Sequence, residues 1–504
     1  MAEFSEEDKK ILSQHVSNLD KDVYLVYNLP PEVVAVLFAY VSRSPASFRE
    51  NLLKLIKSKD LDMGKLIQVY SEDQGMDYQA AREKAQKFHE RWVVGYGHSS
   101  VAEHAMASIA IENASMIAIK TIEDNRLASY TEKSSRYQIF DRNMYYKPKK
   151  LMESRFAKLY EDTCNNLFDV YGELTPHMIY YMKTKYPKPE DMAEGLYESL
   201  TKARACDVIR YLLPTSTLAN LGMTMNARCL EHAIRKFMSH PLEELHDIGN
   251  DVKSEVQKMI PTLVKYADQN KYITETNEEM YETVPQNMPE VSQADVVTLV
   301  QYDKDAENRV IASILYKYSK NPYEQIHEKV LSMSEEEKRK VVNDYMKRMG
   351  NHDWPMRELE HTSYTFDILM DYGAFRDVQR HRICTQTNQD ATTDHGYEIP
   401  EPLVDAGFKD RFVECMDKAR NAFDEIRKEF PKEAQYVVPL AYRKRTLITW
   451  NLRALWHFIK LRSGKEGHES YRRIARLCYQ EVRKVHPILA EYIRVDLSEG
   501  PARG

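Results

Sequence analysis

The 504-residue sequence has few cysteines, no long apolar run and no excess of basic charge, and each shortage excludes a class of protein. The six cysteines form no Cys-x-x-Cys pair, so neither a zinc site nor a disulfide framework is predicted. The longest apolar run, Val33 to Val41, is too short to span a bilayer. A formal net charge of -6 gives no general basic field for nucleic acid.

The N-terminal segment MAEFSEEDKK is acidic and polar, whereas a secretory signal begins with basic and then apolar residues. The sequence therefore predicts a cytoplasmic protein without a membrane or nucleic-acid partner. Metal ligation by the segment 389–395 is not expected, because further His or Cys residues are missing around it.

The length predicts two domains of roughly 200 to 250 residues, because one hydrophobic core seldom serves a longer chain. Much of the chain is predicted to be helical, including a helix that begins with a capping box of Ser334 and Glu337 and ends at Gly350. Fewer runs are β-like, at 109–111, 296–301 and 364–369. The sequence predicts an α+β fold.

An internal repeat organises the chain. The segment YLLPTSTLANLGMTMNARCLEHAI (211–234) matches YVVPLAYRKRTLITWNLRALWHFI (436–459) at a constant offset. Earlier, Glu103-His104 and Glu360-His361 each lead to an arginine, Arg126 and Arg382. Two matched blocks in one order predict a tandem duplication, with copies at 20–270 and 292–504 joined by a polar, proline-containing linker at 271–291.

Two polar clusters are candidates for anion binding. The second copy carries Arg376, Arg380, His381 and Arg382, whose mutual repulsion requires either a bound anion or carboxylates on neighbouring helices. The first copy carries Ser129, Glu132, Ser134 and Arg136, which could surround a phosphate or form an ordinary loop or helix cap. The residues alone leave both choices open.

Together the two clusters resemble one signature, an Arg-His-Arg triplet followed after seven residues by serine and, two residues on, by arginine. That signature marks the flavin-dependent thymidylate synthases. The first copy resembles this family in GHSSVAEH (97–104) and NRLASYTEKSSRY (125–137), and the second in QRHRI (379–383), TWNLRALWHFIKLR (449–462) and His468. The resemblance implies two family domains, each a small curved sheet flanked by helices.

The resemblance also implies a reaction, the FAD-dependent reductive methylation of dUMP to dTMP with methylenetetrahydrofolate as carbon donor and NADPH as reductant. Family members are homotetramers whose site combines a nucleotide cradle from one subunit with guanidinium groups from a neighbour. A homodimer of tandem chains would imitate that tetramer, although the sequence leaves open whether the sites form within or between chains.

The two copies have lost complementary parts of the signature. The first copy replaces the triplet and the family's late arginine by Asp124, Asn125, Arg126 and Phe237, and the second replaces the cradle residues by Asp390, Thr392 and Gln435. Joining the cradle of the first copy to the arginines of the second gives one nearly complete composite site. The opposite combination lacks charge on both sides.

The resemblance assigns the following roles. Substrate would contact Glu132, Ser134, Arg136, Arg210, Arg380 and Arg462, with Ser134 and Arg462 also catalytic. FAD would contact Ser100, Glu132, Asn226, Arg228, Arg380, His381, Arg382, Asn451, Arg453 and His457. Arg462 would stabilise negative charge on the uracil.

Departures from the family pattern keep two alternatives open. Asp377 stands where the family has glutamine, and His457 where it has asparagine, so the enzyme could act on another pyrimidine nucleotide or transfer a hydroxymethyl group. A non-catalytic flavin or nucleotide binder is the other alternative, and it predicts either no bound FAD or no turnover. For the histidines, a role in the core or at a helix cap is the alternative to a catalytic role.

Overall fold

The computed structural model describes residues 4–21, 24–41, 46–57, 101–261, 263–284, 288–289 and 295–498. The chain divides into two compact units that interleave along the sequence. One comprises Met1–Ala114, Thr121–Lys133 and Ala219–Met288, and the other comprises Ser115–Lys120, Ser134–Leu218 and Pro289–Gly504. We call them the smaller and the larger unit. The larger unit contains residues of both repeat copies.

Helices predominate among the described residues. In chain order the α-helices are Glu6–Leu12, Pro31–Val41, Phe48–Lys57, Met116–Ile122, Lys149–Met152, Ala157–Lys185, Glu194–Ile209, Ala227–Met238, Glu243–Val256, Lys271–Thr283, Ala306–Lys317, Tyr323–Leu331, Glu335–Met346, Tyr372–Val378, Glu401–Asp405, Lys409–Ile426, Leu452–Ser463, Glu469–Val485 and Pro487–Ala490. The strands are β1 (Met106–Ser115), β2 (Ala128–Glu132), β3 (Leu218–Asn226), β4 (Val297–Tyr302), β5 (Ser363–Asp371), β6 (Thr385–Asn388) and β7 (Arg443–Asn451). The predicted α+β class is confirmed.

The smaller unit carries a three-stranded sheet in the order β1-β3-β2, with β2 antiparallel to β3. The predicted strand at 109–111 lies inside β1. After β3, the Asn226 side chain accepts a hydrogen bond from the Cys229 N–H at 2.9 Å and so begins the helix Ala227–Met238. The apolar face of that helix is buried, and Phe237 on it has no exposed surface.

The larger unit carries a four-stranded antiparallel sheet in the order β4-β5-β7-β6. The predicted strands at 296–301 and 364–369 correspond to β4 and β5. Strands β5, β7 and β6 repeat the order of β1, β3 and β2. Aromatic side chains fill the core beside the sheet, where Trp450 of β7 stacks on Phe458 with ring centres 4.8 Å apart.

Two expectations from the sequence differ from the structure, and both concern polar stretches of the chain. The capping box of Ser334 and Glu337 is confirmed, but the helix ends at Met346 and not at Gly350. The reason is local competition for the Gly350 N–H, which donates to the Asp353 carboxylate at 2.7 Å, while the Met346 carbonyl accepts from the Met349 N–H at 3.0 Å. In the segment 271–291, where no helical period is evident, Lys271–Thr283 is a helix without a buried residue.

The repeat segments pair with each other inside the larger unit. The N–H of Thr215 donates to the Val438 carbonyl at 2.9 Å, and the equivalent N–H of Leu440 donates to the Leu213 carbonyl at 2.9 Å. A second equivalent pair joins Ser216 to Tyr436 at 3.2 Å and Ala441 to Tyr211 at 3.1 Å, around a bridge between Pro214 and Pro439. Matching bonds at one sequence offset define a local two-fold axis that passes between the two prolines.

None of the helices that the structure describes is both long enough and apolar enough to cross a bilayer.

Candidate functional site

Of the first-copy cradle, the part from Ser134 onward lies in the larger unit and is built around Arg136. Its guanidinium donates to both carboxylate oxygens of Asp207, at 2.6 and 2.8 Å, and to the Tyr471 hydroxyl at 3.0 Å. Burial alone would raise the pKa of Asp207, but the hydrogen bonds from Arg136, together with the charges of His468, Arg210 and Arg136, hold the pKa below its ordinary value. Asp207 is therefore ionised and fixes the arginine in one orientation.

Arg210 follows the helix Glu194–Ile209 and is 98% buried, with a relative exposure of 2%. Its Nη1 lies 3.8 Å from the Asp377 carboxylate, which is longer than a hydrogen bond. The Nε and Nη2 atoms are buried without a hydrogen-bond partner in the protein. Buried guanidinium nitrogens are costly to leave unpaired, so this side chain is ready to bind an anion.

Asp377 stands at the centre of an arginine cluster drawn from both copies. Arg462 Nη1 lies 3.7 Å and Arg380 Nη1 lies 4.0 Å from its carboxylate, in addition to Arg210. Burial would raise the pKa of Asp377, but Arg210 and then Arg380 and Arg462 lower it overall. The cluster therefore contains one carboxylate among several cations, and it keeps a net positive charge.

Arg462 is positioned by a histidine and a tyrosine. Its Nε donates to His381 Nε2 at 2.8 Å, and its guanidinium carbon lies 5.2 Å from the Tyr471 ring centre. Burial, followed by the Arg462 charge, lowers the pKa of His381 well below its ordinary value. His381 is consequently a neutral acceptor, since arginine can only donate.

His468 connects the first-copy cradle to the helix Glu469–Val485. Its Nδ1 accepts from the Ser470 N–H at 3.2 Å and caps that helix, while its Nε2 lies 3.3 Å from the Asp207 carbonyl oxygen. Burial, with Arg210 next in importance, lowers the pKa of His468 to about 4. The imidazole is thus neutral at pH 7, and both of its nitrogens make structural contacts.

Other members of the predicted clusters make local contacts. The Ser134 hydroxyl accepts from the Arg136 N–H at 3.2 Å, which shapes the cradle turn. Arg376 is buried and donates to the Ser135 hydroxyl at 2.8 Å, so this arginine is used in packing. Arg382 lies partly buried between the helix Tyr372–Val378 and β6.

The second-copy cradle, also in the larger unit, is closed by its own side chains. Lys432 Nζ lies 3.1 Å from the Asp390 carboxylate. The Gln435 amide oxygen accepts from the Ala391 N–H at 3.0 Å, and its nitrogen donates to the Lys432 carbonyl at 3.3 Å. Lys432 replaces Asp207 at the offset of the 211–234 repeat, and Asp390 replaces Ser134 at the offset that relates Arg126 to Arg382, so the charge pattern of the cradle is inverted.

Four of the remaining residues assigned to FAD have structural partners. Asn226 and Asn451 cap the helices Ala227–Met238 and Leu452–Ser463. Arg228 pairs with Glu103, and the equivalent Arg453 pairs with Glu360 at 3.0 Å. Glu132, Asn226 and Arg228 belong to the smaller unit, and Ser100 lies outside the described residues. Their contact with a flavin stays a prediction.

Two site features were not identified from the sequence. Asp207 and Tyr471 both hold Arg136, although neither lies in a motif that resembles the family. The signal for Asp207 was present in the repeat, because its counterpart Lys432 has the opposite charge.

A cavity of about 570 Å³, in the usual size range of ligand pockets, is lined by Asp207 and His468 but by none of the arginines that surround Asp377.

Metal binding has no support in the described part of the chain, where no group of three or more His, Cys, Asp or Glu side chains is arranged to hold an ion. The donor set around Asp377 is cationic, and cations of this kind bind anions.

Comparisons with known proteins find the same family in both copies. The family model described as thymidylate synthase complementing protein matches residues 51–262 and again 298–488. A UPF0159 protein of Chlamydia pneumoniae is 36% identical over 99% of this chain and 96% of its own length. A flavin-dependent thymidylate synthase of Sulfurisphaera tokodaii is 29% identical over 39% of this chain and 77% of its own length.

A solved structure of the flavin-dependent thymidylate synthase ThyX from Helicobacter pylori, complexed with FAD and dUMP, is 19% identical and aligns with 40% of this chain and all of its own, at a TM-score of 0.30. The double match of the family model confirms the tandem arrangement that the repeat predicts. Since these matches cover most of the sequence, the chain belongs to the thymidylate synthase complementing family, the family of the flavin-dependent thymidylate synthases.

Proposed function

We propose that this protein methylates dUMP to dTMP reductively at a composite site, with FAD, methylenetetrahydrofolate and NADPH. The observation that carries the proposal is the convergence of Arg210 from the first copy with Arg380 and Arg462 from the second on Asp377. Three guanidinium groups at 3.7 to 4.0 Å, two nitrogens of which are buried and unpaired, form an anion site. Family membership supplies the reaction.

The first-copy residues would hold the nucleotide phosphate. Arg210 would donate its unpaired Nε and Nη2 hydrogens, and these charge-assisted bonds are about twice as strong as neutral ones. Arg136 is kept rigid by Asp207, so little side-chain entropy is lost when a ligand binds beside it. Ser134 would add a hydroxyl to the same turn.

The second-copy residues would act on the base. Arg462 has a fixed orientation because it donates to the neutral His381. A preorganised cation stabilises negative charge that develops on uracil during carbon–carbon bond formation, without reorganisation at the moment of reaction. The protein itself then needs no nucleophile.

FAD would supply the hydride, and Arg380, His381 and Arg382 would hold it. The donors present suit an anionic cofactor, because the arginines are permanently charged and the Arg380 side chain is 46% exposed. Positive charge near a flavin favours its reduced anionic form. A homodimer of tandem chains would contain two such sites.

The test is an assay of the purified full-length protein for bound flavin and for dTMP formation from dUMP. Arg462→Ala should reduce turnover by at least about 100-fold, the loss typical of one transition-state donor, while FAD remains bound. Arg427→Ala is the matched control, because Arg427 pairs with Asp394 at the end of another helix. Colourless protein that makes no dTMP would contradict the proposal and favour a non-catalytic homologue.

Asp377 favours a second candidate, in which the substrate is another pyrimidine nucleotide. Glutamine offers a donor and an acceptor, whereas an ionised aspartate offers acceptors only. A carboxylate held at this position would suit a base that presents an amino group. Turnover of dUMP, UMP and dCMP by the wild type and by Asp377→Gln separates the two, since only the second candidate predicts that the variant gains activity on dUMP at the expense of dCMP.

A further inference from the structure

An exposed tryptophan lies at the outer end of the row of side chains that leads to the arginine cluster. Trp354 is 54% exposed, whereas Trp450 and Trp456 in the same unit are 0% and 1% exposed. The Trp354 ring stacks on His457, with ring centres 4.1 Å apart and planes inclined by 28°. One face of the indole is therefore covered, and the exposed part of the ring remains available to a ligand.

The row continues inward without a gap. The His457 ring centre lies 5.5 Å from that of His381, whose Nε2 accepts from Arg462. Arg462 in turn lies 3.7 Å from Asp377. Flat groups thus extend from the protein surface to the cluster proposed to bind the nucleotide.

The segment that carries Trp354 is held by three cationic side chains. Arg453 Nε donates to the Pro355 carbonyl at 2.7 Å, Lys460 Nζ to the Asn351 carbonyl at 2.6 Å, and Arg494 Nη1 to the Gly350 carbonyl at 2.9 Å. Each of these bonds fixes main chain on one side of the tryptophan. An indole on such a support loses little freedom when a ligand stacks on it.

We propose that Trp354, supported by His457, is a stacking surface for a planar heteroaromatic ring. The inference rests on the proposed function, which supplies two such rings, the flavin of FAD and the pterin of the folate. Stacking suits this chemistry because both rings are flat and polarisable, and because a neighbouring neutral histidine adds no repulsion. Trp354 lies between His352 and His361, which are nine residues apart, whereas His98 and His104 of the first copy are six residues apart.

Tryptophan fluorescence of the full-length protein tests the proposal, because burial distinguishes Trp354 from Trp450 and Trp456. The protein is titrated separately with FAD and with tetrahydrofolate, for the wild type, Trp354→Phe and Trp354→Ala. The ring that stacks should bind about tenfold or more weakly to Trp354→Ala, near the lower end of the range for aromatic stacking, and nearly normally to Trp354→Phe. Ligand binding should quench the fluorescence of Trp354 in the wild type, and this part of the quenching should be absent in Trp354→Phe.

Tyr318→Ala is the matched control, since Tyr318 is 69% exposed on another element, and thermal denaturation verifies that every variant folds. A weakened affinity for FAD alone assigns the flavin, and a weakened affinity for tetrahydrofolate alone assigns the pterin. Equal binding of both ligands by the wild type and Trp354→Ala overturns the stacking surface and leaves the proposed function intact. Trp354-dependent binding without any dTMP formation overturns the proposed function alone.

Discussion

The two cradles of the larger unit occupy equivalent places in the repeat and have opposite chemistry. In the first, the anionic Asp207 holds the cationic Arg136, and Arg210 keeps two buried nitrogens without a partner. In the second, the cationic Lys432 holds the anionic Asp390, and the amide of Gln435 is bonded on both sides. One cradle is prepared for an anion, and the other is closed on itself.

The difference shows that the charges of a duplicated site can be inverted while its local fold is kept. Each cradle retains an ion pair between the same two parts of the repeat, so the local scaffold is supported in both copies. The sign of the charges in a cradle decides whether a phosphate is attracted or repelled. Substitutions that exchange the cradle residues can therefore separate binding from folding.

The largest effect is expected when Arg210 is replaced by the residue of the other cradle. Arg210→Gln removes two buried donors, each worth about 1.5 to 3 kcal/mol to a charged acceptor, so dUMP should bind at least about 100-fold more weakly. Isothermal titration of wild type and variant with dUMP measures this effect. The reciprocal Gln435→Arg is the control and should create no second binding event. An unchanged affinity in Arg210→Gln would show that the nucleotide does not use this cradle.

The next effect concerns the pH dependence of stability at the first cradle. Because the pKa of His468 falls from an ordinary value near 6.5 to about 4 on folding, the unfolded chain binds its proton first as the pH is lowered. Stability should therefore be complete above pH 6.5 and fall by about 3 kcal/mol between pH 6.5 and 4. Urea denaturation across this range measures the decline.

His468→Asn is the informative variant, because asparagine can still cap the helix Glu469–Val485 but does not titrate. Its decline between pH 6.5 and 4 should be much smaller than that of the wild type. Asp207, whose lowered pKa makes its contribution vanish only as the pH falls below about 4, should lose its stabilising effect in both proteins alike. A wild-type profile that is flat above pH 4 would contradict the burial of a neutral His468.

A smaller effect should follow when the first cradle receives the acid of the second. Ser134→Asp puts a carboxylate beside the phosphate position, and affinity for dUMP should fall about tenfold to 100-fold by repulsion. Ser134→Ala separates charge from the loss of the hydroxyl and should weaken binding by less than about tenfold. The two variants should melt at similar temperatures, because Ser134 is only partly buried. Equal affinities for both would exclude the charge argument.

The smallest effect is expected in the second cradle. Lys432→Met breaks a partly exposed ion pair, with side-chain exposures of 18% and 37%, and should change the free energy of unfolding by no more than about 1 kcal/mol. Its affinity for dUMP should equal that of the wild type. Chemical denaturation and titration with dUMP provide the two measurements. A loss of nucleotide binding here would mean that the second cradle is not closed.

Local signals in the sequence predicted the elements of the fold well. Alternating apolar residues predicted β4 and β5, and the capping box at Ser334 predicted where its helix begins. The end of that helix was not predicted, because the Gly350 N–H that would continue the helix donates to the Asp353 carboxylate. The start of this helix is marked by a known motif, whereas its end depends on a side-chain contact that no motif indicates.

The arrangement of the candidate site was predictable only in part. The repeat and the family signature identified Arg136, Arg210 and Arg462, but the partners that hold Arg136 and Arg462 lie 71 and 81 residues away in the chain. Arg376 belongs to the same dense cluster as Arg380, and yet it is used in packing against Ser135. Tertiary contacts of this kind follow from the fold and leave no periodic pattern in the sequence.

The local two-fold axis between Pro214 and Pro439 gives the covalent joining of the halves a meaning of its own. The four matching bonds across the axis are main-chain bonds, so they distinguish poorly between one copy and the other, although the Thr215 hydroxyl adds a copy-specific bond to the Gln435 carbonyl at 2.5 Å. Separate halves could therefore also pair like with like, and under the proposed composite site each like pairing would separate a cradle from the arginines that complement it. Placing both copies on one chain raises the effective concentration of the unlike partner. Under the proposed function, the peptide link thus ensures that the cradle of the first copy and the arginines of the second always occur together.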